Sequence, residues 1–301
     1  NMKPVIIALL LILTNWGFSQ DYYEGFVDAI RARDSLKQDS ILKIWTKERP
    51  NDPDLLTSYF NHYIVQSKQS VLMIGETPPL NKEVLSVQDS NKTISYLYDA
   101  SIFEPESYQK ALLYIDSGLH QFPKRLDMHF GKIHVLGEAN DWNNFTKSIL
   151  SVLKLSEQNN HSWIWTKNTP LPDHDSIGFF LGAIQDYQLM LYNTGNDSLL
   201  KYMREIGLET IEIFPNYVES YSNVGVTYMI LGDNDIALNY FLKGESLRPK
   251  DEIIVSNIAQ CYYRLNNKEK AIEYYQKAFN IGDHYTKEIA SQMLTELNGD
   301  K

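Results

Sequence analysis

The stretch ILGDNDIALNYFLKGESLRPKD, Ile230 to Asp251, decides the fold. It carries Ala237, Phe241, Gly244 and Pro249. A step of 34 residues brings the pattern back in RLNNKEKAIEYYQKAFNIGD, as Ala271, Tyr275 and Ala278, with Asp283 in place of the proline. Just upstream, Tyr221, Val224, Gly225 and Tyr228 lie at i, i+3, i+4 and i+7, one face of a helix. Val255, Ile258, Ala259 and Tyr262 repeat that face one unit later. Leu231-Gly232-Asp233 separates the two helices of the first unit, glycine suiting the end of one and aspartate the start of the next. Gly225, Ala237 and Gly244 are small where helices must cross closely. Pro249 ends the unit, because the residue before a proline is biased away from helix.

These residues and their spacing resemble the tetratricopeptide repeat, a helix pair of 34 residues. The resemblance is strong over 218–283, moderate over 105–155 and 180–217, and weak before residue 70. It implies an all-α, right-handed solenoid of stacked helix pairs. One such pair cannot bury its apolar face alone and does so against its neighbours.

Weaker copies extend upstream. YQKALLYIDSGLHQFP, 108–123, has Ala111, Ile115, Gly118 and Pro123 at the second-helix spacing. LDMHFGKIHVLG and NDWNNFTKSILSVLKL read as a further pair. IGFFLGAIQDYQLMLYN and LETIEIFPN bracket another, joined through Gly195-Asn196-Asp197-Ser198. At the front, DSILKIWTKERPNDPDLLTSYFNHYIVQS reads as the end of one unit and the start of the next, jointed at Pro50 and Pro53. The expectation is about six helix pairs and a closing helix near 285–297, where a polar cap is needed.

Two segments interrupt the array. About 39 extra residues fall between Tyr63 and Ala111, and they place an insertion over 71–105. Val84/Ser86 and Ile94/Tyr96/Tyr98 alternate about a polar turn, which predicts a short hairpin. The second break is HSWIWTKNTPLPDHD, 161–175, read as an ordered loop. The organisation expected is a leader over 1–19, degenerate helical repeats over 20–70, the insertion over 71–105, degenerate repeats over 106–217, two clear units over 218–283 and a capping helix over 284–301.

The N-terminus reads as an address. Met2 is the expected initiator, with Asn1 extraneous to it. Lys3 is followed by VIIALLLIL, an apolar run too short to span a bilayer. Gly17-Phe18-Ser19 then supplies small residues for signal cleavage before Gln20. The expectation is an exported, periplasmic or secreted product with no stable membrane insertion once the leader is removed. No cysteine near the cleavage point would carry a lipid. Cys261 is the only cysteine, so no internal disulfide is possible. A formal charge of −10 repels phosphate backbones and argues against a nucleic-acid partner.

No nucleophile elbow, zincin motif or phosphate-binding glycine loop occurs. His129 and His134 are five apart and do not share a helical face, and Glu138 lies one turn beyond His134, so metal binding is not expected. Cys261 sits beside Tyr262 inside a repeat helix and reads as a small packing residue. No cofactor is expected. Asp34, Asp39, Asp175 and Asp197 each precede Ser and then Leu or Ile. They read as helix N-caps, or alternatively as O-glycosylation tripeptides of some exported bacterial proteins.

The repeat resemblance implies a concave groove for a protein or peptide, lined by first helices. The positions it implicates are Glu219, Ser222, Asn223, Val226 and Met229, then Ile253, Ser256, Asn257, Gln260, Tyr263 and Arg264. Asn223 and Asn257 are one unit apart and either face the groove or bond to the neighbouring helix. The family's clamp for a terminal carboxylate uses several Lys and Arg around such asparagines. This face offers Arg264 alone and carries Glu219, so that clamp is not expected. The chain thus reads as a non-catalytic scaffold. A second reading uses Trp163 and Trp165, which flank Ile164, as an aromatic platform for a glycan or other ligand together with the insertion.

Overall fold

A computed structural model describes residues 21–78, 83–172 and 174–299. The expected leader therefore lies outside the described residues. Thirteen α-helices, two short 3₁₀ helices and three strands make up the regular structure among them. The helices run in antiparallel pairs: α1 (Tyr22–Arg31) with α2 (Ser35–Glu48), α3 (Pro53–Ser67) with α4 (Pro105–Gln121), and α5 (Leu126–Glu138) with α6 (Trp142–Gln158). Then come α7 (Ser176–Tyr192) with α8 (Leu200–Ile213), α9 (Val218–Ile230) with α10 (Asn234–Leu247), and α11 (Glu252–Arg264) with α12 (Lys268–Ile281). A last helix, α13 (His284–Gly299), packs on α12. The fold is an α-solenoid of stacked helix pairs carrying one small inserted sheet.

The spacing of small residues has a direct cause. A Cβ on Gly225 would lie 2.5 Å from Cε1 of Phe241, so α9 and α10 cross with no room for a methyl group. At Gly244 the same atom would lie 2.7 Å from Cδ1 of Ile254, where α10 meets the next unit. Ala237 and Phe241 are buried at these crossings, and Ala271 and Tyr275 at the equivalent crossing of α12 with α11. Gly232, at φ 89°, provides the left-handed turn between α9 and α10 that a side chain would oppose.

The insertion is a three-stranded antiparallel sheet, not a lone hairpin. Its strands are β1 (Lys68–Gly75), β2 (Leu85–Gln88) and β3 (Ile94–Phe103), in the order β1-β3-β2. β2 and β3 form the expected hairpin. VLMIG joins it as β1, a strand that its unbroken apolar run concealed. α3 passes directly into β1 and β3 directly into α4, and Glu104 N–H donates to Ser67 C=O at 2.7 Å where they meet.

Two of the four Asp-Ser positions cap helices. Asp34 accepts from Lys37 N–H and Asp175 from Gly178 N–H. Asp39 instead lies inside α2, 2.9 Å from Nε2 of His62. At Asp197 the capping oxygen belongs to the preceding Asn196.

The loop between α6 and α7 is ordered by a polar knot. Arg125, fully buried, bonds Asp54 at 2.6 Å and Asp127 at 2.7 and 2.8 Å. Asp54 and Asp127 are each the second residue of a first helix, α3 and α5. Lys167 N–H donates to Asp54, and Thr166 Oγ1 donates to Asp127. Burial works against the guanidinium charge, but the hydrogen bonds and fields of Asp127 and Asp54 outweigh it and raise its pKa. Lys167 Nζ then reaches Asp21 and Glu24 at the start of α1.

A groove along the first helices of the C-terminal repeats

First helices α7, α9 and α11 lie side by side, and a groove of about 470 Å³ runs across them. Its apolar wall comes from Leu189 and Tyr192 on α7, Val226, Met229 and Ile230 on α9, and Ile253 on α11. The sequence explains why these residues are free to line it. Tyr221, Val224 and Gly225 face inward onto α8 and α10, so Ser222, Val226 and Met229 fall on the neighbouring side of α9.

Polar groups sit at fixed points along the groove. Asn223, 7% exposed, donates through Nδ2 to Gln185 Oε1 at 2.6 Å and ties α9 to α7. Its counterpart Asn257 also lines the groove, and among the described residues its side-chain amide has no hydrogen-bond partner. At one rim Arg248 bonds Glu219 at 2.9 Å and Asp251 at 3.1 Å. The Glu219 bond, with help from Asp251, holds the Arg248 pKa above its ordinary value against burial. The second oxygen of Glu219 is buried and has no partner.

Of the residues implicated by the sequence, Ser222, Asn223, Met229 and Asn257 line this groove, as do Glu219, Val226 and Ile253. The other positions on α11 are placed elsewhere. Tyr263 hydroxyl donates to Glu296 on α13 at 2.7 Å. Gln260 Oε1 accepts from Tyr275 at 2.8 Å, and Arg264 donates to the Met229 carbonyl at the end of α9. Ser256 is half-buried outside the lining. The closing helix α13 packs on α11 and α12, so this end of α11 is covered within the chain. Gln185, Leu189 and Tyr192 on α7, Ile230 on α9, and Arg248 and Asp251 at the rim are lining residues that sequence reasoning missed. α7 is apolar on several sides, so its groove face carries no separate signal.

Trp163 is a structural anchor. It is 6% exposed, stacks on Phe180 at 5.9 Å, and donates through Nε1 to Ser156. Trp165 packs edge-on against Phe130 and Phe179. Neither arrangement leaves the pair as an open platform, because the core already fills the face of Trp163 that a sugar would need. Cys261 is fully buried, and burial pushes its thiol up to about 11, so it stays a protonated packing group at neutral pH. Among the described residues no group of three or more His, Cys, Asp or Glu is placed to hold a metal ion. No helix among them is long and apolar enough to cross a membrane.

A larger, more polar cleft of about 600 Å³ opens between α4 and α6 over α5. Its Lys132 is already paired with Asp116, and burial keeps the pKa of His129 below its ordinary value.

The two clearest helix pairs, α9 with α10 and α11 with α12, also match a known repeat. The tetratricopeptide repeat matches residues 218–251 and again 254–285. The chain therefore carries tetratricopeptide repeats in its C-terminal part. Among solved structures it is similar to YrrB, described as a TPR protein with an unusual peptide-binding site. That match has 19% identity over 61% of this chain and 83% of that one, with a TM-score of 0.39. It is also similar to MamA, with 14% identity over 62% of this chain and 92% of that one and a TM-score of 0.36. No curated protein matches the chain.

Proposed function

We propose that this chain is an exported, non-catalytic scaffold that holds an extended polypeptide segment in the groove formed by α7, α9 and α11. The observation that carries the reading is the pairing of an apolar wall with an unengaged amide. Val226, Met229 and Ile253 accept apolar side chains, while Asn257 has hydrogen-bonding capacity to offer a peptide backbone. Asn223 is already held by Gln185 and acts as a fixed edge of the groove. With Arg248 paired on both sides, the groove offers no free cation among the described residues for a terminal carboxylate, which favours an internal segment of the partner. Export rests on the apolar run at Val5–Leu13 and the small residues before Gln20.

Selection from a displayed peptide library, followed by titration of the winners, tests the groove. Asn257→Ala together with Met229→Ala should weaken them by about 1–3 kcal/mol. Helical content should remain unchanged. Peptides that bind the double variant as well as the parent would remove the site from this groove, and failure to select any apolar segment would remove the reading. Export is tested separately, by N-terminal sequencing of the mature chain. Recovery of Gln20 as the first residue supports it, and a chain that retains Lys3 overturns it.

A further inference from the structure

Among the described residues, the inserted sheet ends in a strand whose outer edge has no partner. β1 lies at the edge of the order β1-β3-β2, and no element other than β3 packs extensively against it. Its side chains are unusually apolar for an open edge, with Leu72 65% and Ile74 67% exposed. Soluble proteins usually protect such an edge by a bulge, a charge within the strand or a cover. Here VLMIG has no charge or proline, and it runs without a bulge from Lys68 opposite Phe103 to Gly75 opposite Tyr96.

The direction of the free backbone groups follows from one bond. Glu104 N–H donates to Ser67 C=O, which makes these two a hydrogen-bonded pair. Alternation along an antiparallel ladder then turns Gln69, Val71, Met73 and Gly75 toward β3. The N–H and C=O groups of Ser70, Leu72 and Ile74 face outward. An antiparallel strand added to this edge must set its own outward residues against them. If the added strand is β1 of a second copy, the twofold axis must pass through a residue position and not between two.

Charge then selects one position. With the axis at Leu72, Ser70 lies opposite Ile74 and Lys68 lies opposite Glu76, and the twofold repeats both pairs. Displacing the axis by one residue in either direction loses the Lys68–Glu76 match. Glu76, exposed, is the first residue beyond β1. Lys68 is 40% exposed and pairs with Glu138 at 2.6 Å within its own chain, so a second carboxylate can approach it from the open side. The edge is therefore complementary to itself in backbone parity and in charge.

We propose that β1 is the contact edge of a twofold homodimer in which two inserted sheets join into one six-stranded antiparallel sheet, in register about Leu72. The helical arrays then project from the two ends of the shared sheet, and each retains its own groove. An interface of one strand edge per copy is small, so the dimer forms in proportion to concentration.

Sedimentation velocity on the purified protein over a range of concentrations tests this. A reversible monomer–dimer equilibrium is expected. Glu76→Lys sets like charges opposite each other twice and should weaken dimerisation about tenfold or more. Lys68→Glu and Glu76→Lys combined with Glu138→Lys, which keeps an intrachain bridge at position 68, reverse the charges and should restore the dimer. Leu72→Pro removes an outward N–H that β3 does not use. It should abolish dimerisation while the circular dichroism spectrum stays that of the parent. A chain that is monomeric at every concentration overturns the proposal. So does a dimer indifferent to Glu76→Lys or Leu72→Pro, or a charge reversal at positions 68, 76 and 138 that fails to recover it.

Discussion

Replacing Arg125 by Met tests whether the polar knot holds the middle of the array together. The substitution keeps most of the buried volume and removes the charge. It leaves Asp54, 7% exposed, and Asp127 facing each other's field across a site closed to solvent. Three charge-assisted hydrogen bonds of 2.6–2.8 Å are lost. Breaking a buried ion pair from one side costs about 3–5 kcal/mol, because the orphaned charge loses its partner and stays desolvated. Two carboxylates are orphaned here, so the upper part of that range is expected. The loss is a large fraction of the stability of an ordinary domain, roughly 5–15 kcal/mol. Urea unfolding followed by far-ultraviolet circular dichroism and by tryptophan fluorescence measures it. Fluorescence should change first, since Lys167 and Thr166 fasten the loop that carries Trp163 to the same two carboxylates. The triple variant Arg125→Met, Asp54→Asn, Asp127→Asn should recover most of the loss, because no buried charge remains. A cost below about 1 kcal/mol for Arg125→Met, or no recovery in the triple variant, would refute the reasoning.

Gly225→Ala gains about 1 kcal/mol of helix propensity but drives a methyl group into Phe241, at a cost of about 1–3 kcal/mol. Net destabilisation is expected in the parent and a gain in a Phe241→Leu background, and a double-mutant cycle in urea decides between coupling and independence. Stability should also fall as pH drops from 7 toward about 5. Burial, partly opposed by Asp39, holds the pKa of His62 below its ordinary 6.5, so below that value the unfolded chain binds more protons than the folded one. His62→Gln should flatten the profile of unfolding midpoint against pH, and identical profiles would count against His62 as the cause.

The two C-terminal repeats were legible because their constraint is local. Gly225, Ala237 and Gly244 are small for contacts made within one unit and the next, and such contacts return at a fixed spacing. The knot at Arg125 offered no such signal. Asp54 lies 71 residues away from it along the chain. An Arg followed two residues later by Asp is unremarkable until the solenoid sets two first-helix N-termini together. β1 was hidden for a different reason. Its apolar residues do not alternate with polar ones, since both faces of the strand carry them. Among the candidate site residues, Ser222, Asn223 and Met229 on α9 and Asn257 on α11 were placed by the resemblance to the repeat family, whose first helices line the groove. The positions of Gln260 and Tyr263 depend on α12 and α13, which turn back over the end of α11. The contribution of α7 depends on stacking between units, which repeat spacing does not encode.

The junction of the inserted sheet with its helix pair also bears on the order in which the chain folds. α3 and α4 are partners separated by the whole insertion, whereas the other helix pairs are joined by short turns. Direct closure of so long a loop is entropically unfavourable and slow. The sheet supplies a route. β2 and β3 can close first across the tight turn at Asp89–Thr93, β1 can then pair along β3, and the growing ladder ends by drawing Ser67 against Glu104. At that moment α3 and α4 meet as if joined by an ordinary turn. The strands thus act as a zipper whose last tooth starts a helical hairpin. Weakening the turn at Asp89 should delay assembly of the second repeat even though, among the described residues, the hydrogen bonds of that turn stay within the hairpin.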